Sequence, residues 1–192
     1  MRLILASASP RRAELLAAAG FTFDIEAVEV DERPLPDEDP SACTLRLARE
    51  KAAAVAARHP DAVVIGADTV VVSNGEILGK PADDRRAAEM LARLSASRHE
   101  VVTGVTIAAS GREVSAVERT LVWFLPMTAE EITWYVASGE PRDKAGAYAV
   151  QGLASRFVER IEGSYSNVVG LPVARVCQLL RLVEASTPDR CG

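Results

Sequence analysis

Ala62-Val63-Val64-Ile65-Gly66-Ala67-Asp68-Thr69-Val70-Val71-Val72 is an apolar run rich in β-branched residues, and Ser73-Asn74-Gly75 follows it. β-Branched side chains fit the pleated sheet, and Asn-Gly is the strongest short hairpin signal, because both central residues of the tight turn need positive φ. The run therefore reads as a buried strand, with Glu76 to Leu78 as its antiparallel return. Upstream, Arg2 to Ala6 reads as a first strand. Pro10 to Ala19 reads as a helix, with Ser9 at the N-cap position, Pro10 just inside and Gly20 as the stop. Phe21 to Val28 alternates apolar and polar residues and reads as a strand. Asp31 to Pro40 is a loop rich in proline and acids, and Ser41 to Arg58 is an alanine-rich helix.

Downstream of the hairpin, Asp83 to Leu94 reads as a helix. His99 to Ala109 and Glu113 to Leu125 read as strands joined at Ser110-Gly111. Thr128 to Ser138 is a helix stopped by Gly139, Phe157 to Ile161 another strand, and Pro172 to Glu184 the last long helix. The order predicts an α/β fold with a mixed, twisted sheet flanked by helices, over one domain spanning residues 1–184. Residues 185–192 lack periodicity and read as a frayed tail.

With 192 residues, 48% of them hydrophobic, the chain can bury one substantial core, as one domain or two closely packed lobes. The formal net charge of −5 excludes a general nucleic-acid binder, which needs many cations to displace counterions from phosphates. With 5% aromatic residues, a base-stacking platform is equally disfavoured. Cys43, Cys177 and Cys191 are scattered and have no metal-ligand spacing with His59 or His99, which argues against a disulfide scaffold or a zinc site. No apolar run reaches membrane-spanning length, and the opening Met1 to Ala6 is too short for a signal sequence, so a cytoplasmic protein is expected. Segments around Trp123 or Trp134 could serve a homodimer, although core positions are the better expectation for both.

Two places stand out chemically. Arg11 and Arg12 follow Ser7, Ser9 and Pro10 in the first turn of a helix. That end carries unpaired N–H groups and partial positive charge, so arginine there works against helix stability. It makes sense if an anion binds, since forked donors match phosphate oxygens. The alternative is a capped helix with two solvated arginines. No Walker loop is present.

Asp68 is the second place. A carboxylate within an apolar strand needs a cation, a metal or several donors to offset its desolvation. Counting back from the Asn74-Gly75 turn pairs Ser73 with Glu76 and sets Thr69 opposite Lys80, which brings Lys80 near Asp68 if the strand twists or bulges. The alternative is a structural Asp–Lys contact. Asp31 and Glu32 in the acidic loop could bring a carboxylate to a metal-bridged phosphate. Lys51, by its spacing alone, reads as a surface lysine.

These stretches, taken in order, resemble the Maf family over nearly the whole chain. The matching marks are Ser7-Ala8-Ser9-Pro10-Arg11-Arg12, Val30-Asp31-Glu32, Arg49-Glu50-Lys51-Ala52, Gly66 to Val71 and Gly79-Lys80-Pro81. The later half adds Asp143 to Tyr148, Gln151-Gly152, Gly163-Ser164-Tyr165 and Val169-Gly170-Leu171-Pro172. The resemblance implies an elongated, two-lobed fold with a central cleft, similar also to inosine triphosphatases. It implies hydrolysis of nucleoside triphosphates between the α and β phosphates with Mg²⁺ or Mn²⁺, in a housecleaning role for the nucleotide pool. In such proteins the residue matching Asp68 is the proton acceptor, and those matching Ser7, Arg12, Glu32, Lys51 and Lys80 line the same cleft. On this pattern Asp68, Glu32, Lys51 and Lys80 are the catalytic candidates. Ser7, Arg11, Arg12, Thr69 and Gln151 are the substrate-binding ones, and Glu32 and Asp68 the metal ligands.

The resemblance also bears on the base. Arg11, Thr69 and Gln151 match the branch acting on dTTP and UTP. In the 7-methyl-GTP branch the same positions are Trp, Gln and Glu, of which Trp can stack on a cationic base and Glu favours its charge. Competing readings are a pyrophosphatase for ITP or XTP and a non-catalytic nucleotide-binding regulator of cell division.

Overall fold

The computed structural model describes residues 2–185. The expected tail at 185–192 lies outside the described residues apart from Ala185. The helices are α1 (Pro10–Ala18), α2 (Pro40–Ala56), α3 (Asp84–Leu94), α4 (Ala129–Ala137), α5 (Tyr165–Val169) and α6 (Val173–Ala185). The strands are β1 (Leu3–Ala6), β2 (Asp24–Ile25), β3 (Val63–Ser73), β4 (Glu76–Leu78), β5 (Arg98–Ala109), β6 (Arg112–Phe124) and β7 (Val158–Glu162). They hydrogen-bond in the order β2-β1-β3-β5-β6-β7, with β4 on β3. β1 runs parallel to β2 and β3, whereas β3–β4 and β6–β7 are antiparallel, so the sheet is mixed as expected.

The chain divides into two compact units. Within the described residues the first comprises 2–68, 103–118 and 170–185, and the second 69–102 and 119–169. Strands β3, β5 and β6 supply residues to both.

The first unit follows from the period of two along a strand. Leu5, Val63, Ile65 and Ala67 point to one face and pack with Leu16 of α1 and Val176, Leu179, Leu180 and Val183 of α6. Ile4, Ala6 and Val64 point to the other and pack with Ala52 and Val55 of α2. Gly66 continues this second face. A Cβ there would lie 2.2 Å from the Ala48 carbonyl oxygen and 2.8 Å from the Ala52 nitrogen. Gly104 of β5 meets α2 in the same way, 2.4 Å from the Thr44 oxygen. The α2 backbone thus lies against the sheet at two positions where no side chain intervenes. The helix starts where Asp39 caps it, its side chain accepting from the Ser41 N–H at 2.8 Å.

In the second unit, Leu78, Leu91, Leu94, Val101, Val122, Phe124, Tyr135 and Phe157 share one core with α3 and α4. The Asp83 side chain caps α3, and Thr128 with Glu131 forms a reciprocal capping box on α4. Asn74 and Gly75 have φ of 50° and 80°, the type I′ turn read from the sequence, with Ser73 opposite Glu76.

Two expectations need correction. The strand expected over Phe21 to Val28 shrinks to Asp24–Ile25, both exposed, because an edge segment with no second buried face has little to hold it. Trp123 and Trp134 are not core. Val122 and Phe124 take the buried side of β6, and Ile132, Tyr135 and Val136 that of α4, so both tryptophans face outward. Arg160 stacks over Trp123 at 4.3 Å and Arg156 over Trp134 at 4.6 Å. Ser9 stands at the N-cap position of α1, as read from the sequence, and its side chain makes no cap bond. Its N–H donates instead to Ser7 Oγ at 3.2 Å.

His99 of β5 is 2% exposed in the second unit, packed edge-on against Phe124 and Tyr148. Its Nε2 lies 2.9 Å from the Tyr148 hydroxyl, and its Nδ1 has no protein partner among the described residues. Burial pushes its pKa down to about 4 from 6.5. The folded state therefore binds fewer protons than the unfolded chain between these values, and stability falls as pH drops through that window. From pH 6.5 to 4.5 the chain should lose about 2 kcal/mol more than a His99→Gln variant, read from urea midpoints. Equal losses would mean that His99 does not carry this acid sensitivity.

Candidate active site

Ala6, the last residue of β1, is paired with Gly66 of β3, and β3 runs on past that pairing to Ser73. Ser7, just past the carboxyl end of β1, and Asp68, two residues beyond Gly66, therefore lie beside that end, the place where α/β sheets bind ligands. Asp68 shares its strand face with Val64 and Gly66, the face covered by α2. Because Gly66 admits the α2 backbone, Lys51, between Ala48 and Ala52 on that helix, is brought onto Asp68. Its Nζ donates to Asp68 Oδ1 at 2.7 Å and to Glu32 Oε1 at 2.7 Å. Lys51 is 6% and Asp68 7% exposed, while the Glu32 side chain is about half exposed. One buried ammonium is thus held by two carboxylates, one deep and one reaching in from the loop.

Arg12 is buried beside them. Its Nε donates to the Gly170 carbonyl at 2.8 Å, and its Nη1 to the Ala67 carbonyl at 2.9 Å and to Ser7 Oγ at 3.2 Å. Burial draws its pKa down, an effect opposed by the charges of Asp68 and Glu32 and reinforced by Arg11. Arg12 is therefore not a solvated arginine on a capped helix. It fixes Ser7 and braces β3 at Ala67. Arg11, one position earlier, is partly buried, and the first turn of α1 holds no acidic residue.

The first unit thus gathers Ser7, Arg12, Glu32, Lys51 and Asp68. The remaining candidates, Thr69, Lys80 and Gln151, belong to the second. Thr69 is partly buried on β3. Lys80 is exposed just past β4. The Gly79 carbonyl before it accepts the Gly146 N–H at 3.1 Å. Gln151 is exposed in a turn just before the 3₁₀ segment Leu153–Phe157.

Hairpin counting was right in register, but the ladder ends at Val71–Leu78, short of Thr69 and Lys80. Of the cation, metal or donors that could offset the desolvation of Asp68, a cation is present, and Lys51 supplies it from a helix. The available signal was the pair Ala48 and Ala52 flanking Lys51, a stripe small enough for a helix to sit on a strand glycine.

Among the described residues no three His, Cys, Asp or Glu side chains gather as a metal-binding group. Glu32 and Asp68 converge on one Nζ, however. Two carboxylates, with water and phosphate oxygens completing the shell, are a fitting donor set for a hard divalent cation.

Removing one partner of a buried ion pair strands the other charge, so Lys51→Met should cost about 3–5 kcal/mol in denaturant unfolding. A Lys51→Met/Asp68→Leu double variant, which removes the buried pair together and leaves the half-exposed Glu32 beside Arg12, should regain most of it. A single variant as stable as the parent would show that the pair contributes nothing to folding.

The family model for Maf-like proteins matches residues 2–183. A dTTP/UTP pyrophosphatase of Geobacter metallireducens is 53% identical over 186 residues, which is 96% of this chain and 97% of that protein. Those bearing the same name in Symbiobacterium thermophilum and Geobacter sulfurreducens are 51% and 52% identical, over 93% and 96% of this chain and 92% and 97% of their own. Among solved structures, a nucleoside-triphosphatase / dITP/XTP pyrophosphatase from Mycobacterium abscessus is similar over 98% of this chain and 100% of its own, at 15% identity and a TM-score of 0.47. The chain belongs to the Maf-like protein family.

Proposed function

We propose that the chain is a cytoplasmic, metal-dependent nucleoside triphosphate pyrophosphatase that cleaves dTTP and UTP to the monophosphate and pyrophosphate, with residues 1–184 acting as one functional domain. The observation that carries this reading is the buried Lys51 ammonium between Glu32 and Asp68, beside Arg12 and Ser7 at the end of β1. Supporting the choice of nucleotide are the relatives named dTTP/UTP pyrophosphatase, at 51–53% identity.

In this reading Asp68 accepts a proton from the attacking water. The water oxygen bonds to phosphorus on one side of the α–β anhydride, and the bridging oxygen leaves with the other phosphate. Lys51 holds Asp68 Oδ1 in place and adds positive charge near the reacting phosphates. Arg12, committed to carbonyls and to Ser7, acts through its field and by orienting the Ser7 hydroxyl. Arg11 and Lys80 contribute further positive charge. Preorganised charge of this kind is usually the largest catalytic contribution. Mg²⁺ or Mn²⁺, held by Glu32 and Asp68, supplies charge neutralisation for the phosphate oxygens. Arg11, Thr69 and Gln151 select the base, and the Gln151 amide offers a donor and an acceptor to a pyrimidine edge.

The test is pyrophosphate release from dTTP, UTP, CTP, 7-methyl-GTP, ITP and the common purine triphosphates, with Mg²⁺ or Mn²⁺ and with chelator. Metal-dependent release from dTTP and UTP is expected. Preference for 7-methyl-GTP or ITP would overturn the base assignment. Folded protein that binds nucleotide without turnover would overturn the reaction and favour a regulator. Asp68→Asn should keep the fold and lower kcat by about 100- to 10,000-fold, the usual contribution of a positioned base.

A further inference from the structure

The second unit contains a carboxylate whose side-chain hydrogen bonds come from a hydroxyl and from backbone N–H groups, and which the proposed chemistry does not use. Glu140 opens a 3₁₀ turn after α4, where Gly139 adopts φ 77°. Its Oε1 accepts the Tyr135 hydroxyl at 2.7 Å, and its Oε2 accepts the Leu153 N–H at 3.0 Å. The Ala154 N–H approaches Oε1 at 3.4 Å. Tyr135, fully buried on α4, completes the clamp, since its hydroxyl oxygen accepts the Ala149 N–H at 3.2 Å. The Lys144 ammonium donates to the Glu140 backbone carbonyl at 2.7 Å and so fixes that residue's main chain.

The segment between these anchors is Ala149 to Ala154, and Gln151 stands at its centre. The Gly152 N–H closes a tight turn onto the Ala149 carbonyl at 3.0 Å. A Cβ at Gly152 would lie 2.2 Å from Glu140 Oε2, so a side chain there would displace the carboxylate from its place. The Gln151 turn therefore hangs from two side chains of the α4 end, the Tyr135 phenol behind it and the Glu140 carboxylate ahead of it. A carboxylate suits this task because both its oxygens only accept. An amide would turn an NH₂ group toward the Leu153 N–H or the Tyr135 hydroxyl.

We propose that Glu140, together with Tyr135, is a positioning residue for base selection: it fixes the turn that presents Gln151, and so sets which nucleotide edge Gln151 can meet. This rests on the reading of Gln151 as a base-contacting residue. Weakening an interaction that is equally strong in the ground and transition states raises KM and leaves kcat unchanged, whereas damage to the whole fold lowers active fraction and kcat together.

The test compares Glu140→Gln, Tyr135→Phe and Gln151→Ala with the parent, using steady-state kinetics on dTTP, UTP and CTP with Mg²⁺. Amide exchange at Leu153 and Ala154 is followed alongside. Glu140→Gln should raise KM for dTTP and UTP about 10- to 100-fold with kcat within about threefold of the parent, and should narrow the preference over CTP. Exchange at Leu153 and Ala154 should quicken. Tyr135→Phe keeps the packing, should shift KM in the same direction by less, and decides the matter if Glu140→Gln fails to fold. If Gln151→Ala lowers selectivity while the folded clamp variants keep the parent's KM and selectivity, the positioning role is wrong. A loss confined to kcat in the clamp variants would also overturn it. If Gln151→Ala itself changes nothing, the base-contact reading fails first and the positioning role falls with it.

Discussion

The contact on which the rest of the first unit depends is the seat of α2 on β3 at Gly66. An apolar strand tolerates a carboxylate only when a cation meets it in the same low-dielectric place. A lysine on a helix can do so only if the helix backbone comes closer than an ordinary side-chain layer allows. Gly66 removes that layer on the strand, and Ala48 and Ala52 keep it thin on the helix. Lys51, between the two alanines, then falls beside Asp68, two residues beyond Gly66 on the same strand face. Any side chain at Gly66 would move the helix outward and leave Asp68 without its ammonium.

Arg12 answers a different constraint at the same edge. The Ala67 carbonyl, just past the last β1–β3 pairing, and the Gly170 carbonyl, between α5 and α6, are buried acceptors, and buried polar groups need donors. The guanidinium provides several in one plane, and directs them to Ala67, Gly170 and Ser7. Its position in the first turn of α1 costs helix stability through the macrodipole, but that cost is offset by three hydrogen bonds made elsewhere. A residue that looks misplaced within its own helix is well placed in the unit.

What was legible in the sequence follows the range of the interaction. The β3–β4 turn and its register could be read, because the Asn74-Gly75 conformation is local and the apolar run is strong. The helix starts read at Asp83 and Thr128 are equally local, since each of these residues caps its own helix. Phe21 to Val28 misled because alternation records only which side chains are apolar, and not whether a second element covers them. The tryptophans misled for the related reason that neighbours on each element claimed the buried side. Of the site, the need of Asp68 for a cation was legible, but its partner was not. Counting along a hairpin finds partners within the hairpin, whereas Lys51 arrives from another layer of the fold. The clamp on the Gln151 turn was invisible for the same reason, since Glu140 reaches it across 13 residues and speaks to backbone N–H groups that carry no sequence signature.

The carboxylates of this chain therefore fall into two kinds, and the partner type separates them. Glu32 and Asp68 are held by an ammonium, and Arg12 lies close enough for both to act on it. Across Glu32, Asp68, Lys51 and Arg12 two negative and two positive charges balance, which lets Lys51, Asp68 and Arg12 be buried together. A neutral cluster exerts little pull on a polyanion by itself, so a nucleotide that reaches it with a divalent cation meets a better match than the bare triphosphate. Charge-held carboxylates can also trade one cation for another as ligands arrive. Glu140 is held by N–H and O–H dipoles whose positions are set by backbone and a buried phenol, and no arriving ion can substitute for them. The first arrangement suits chemistry in which charge moves, and the second suits a turn that must stay where it is.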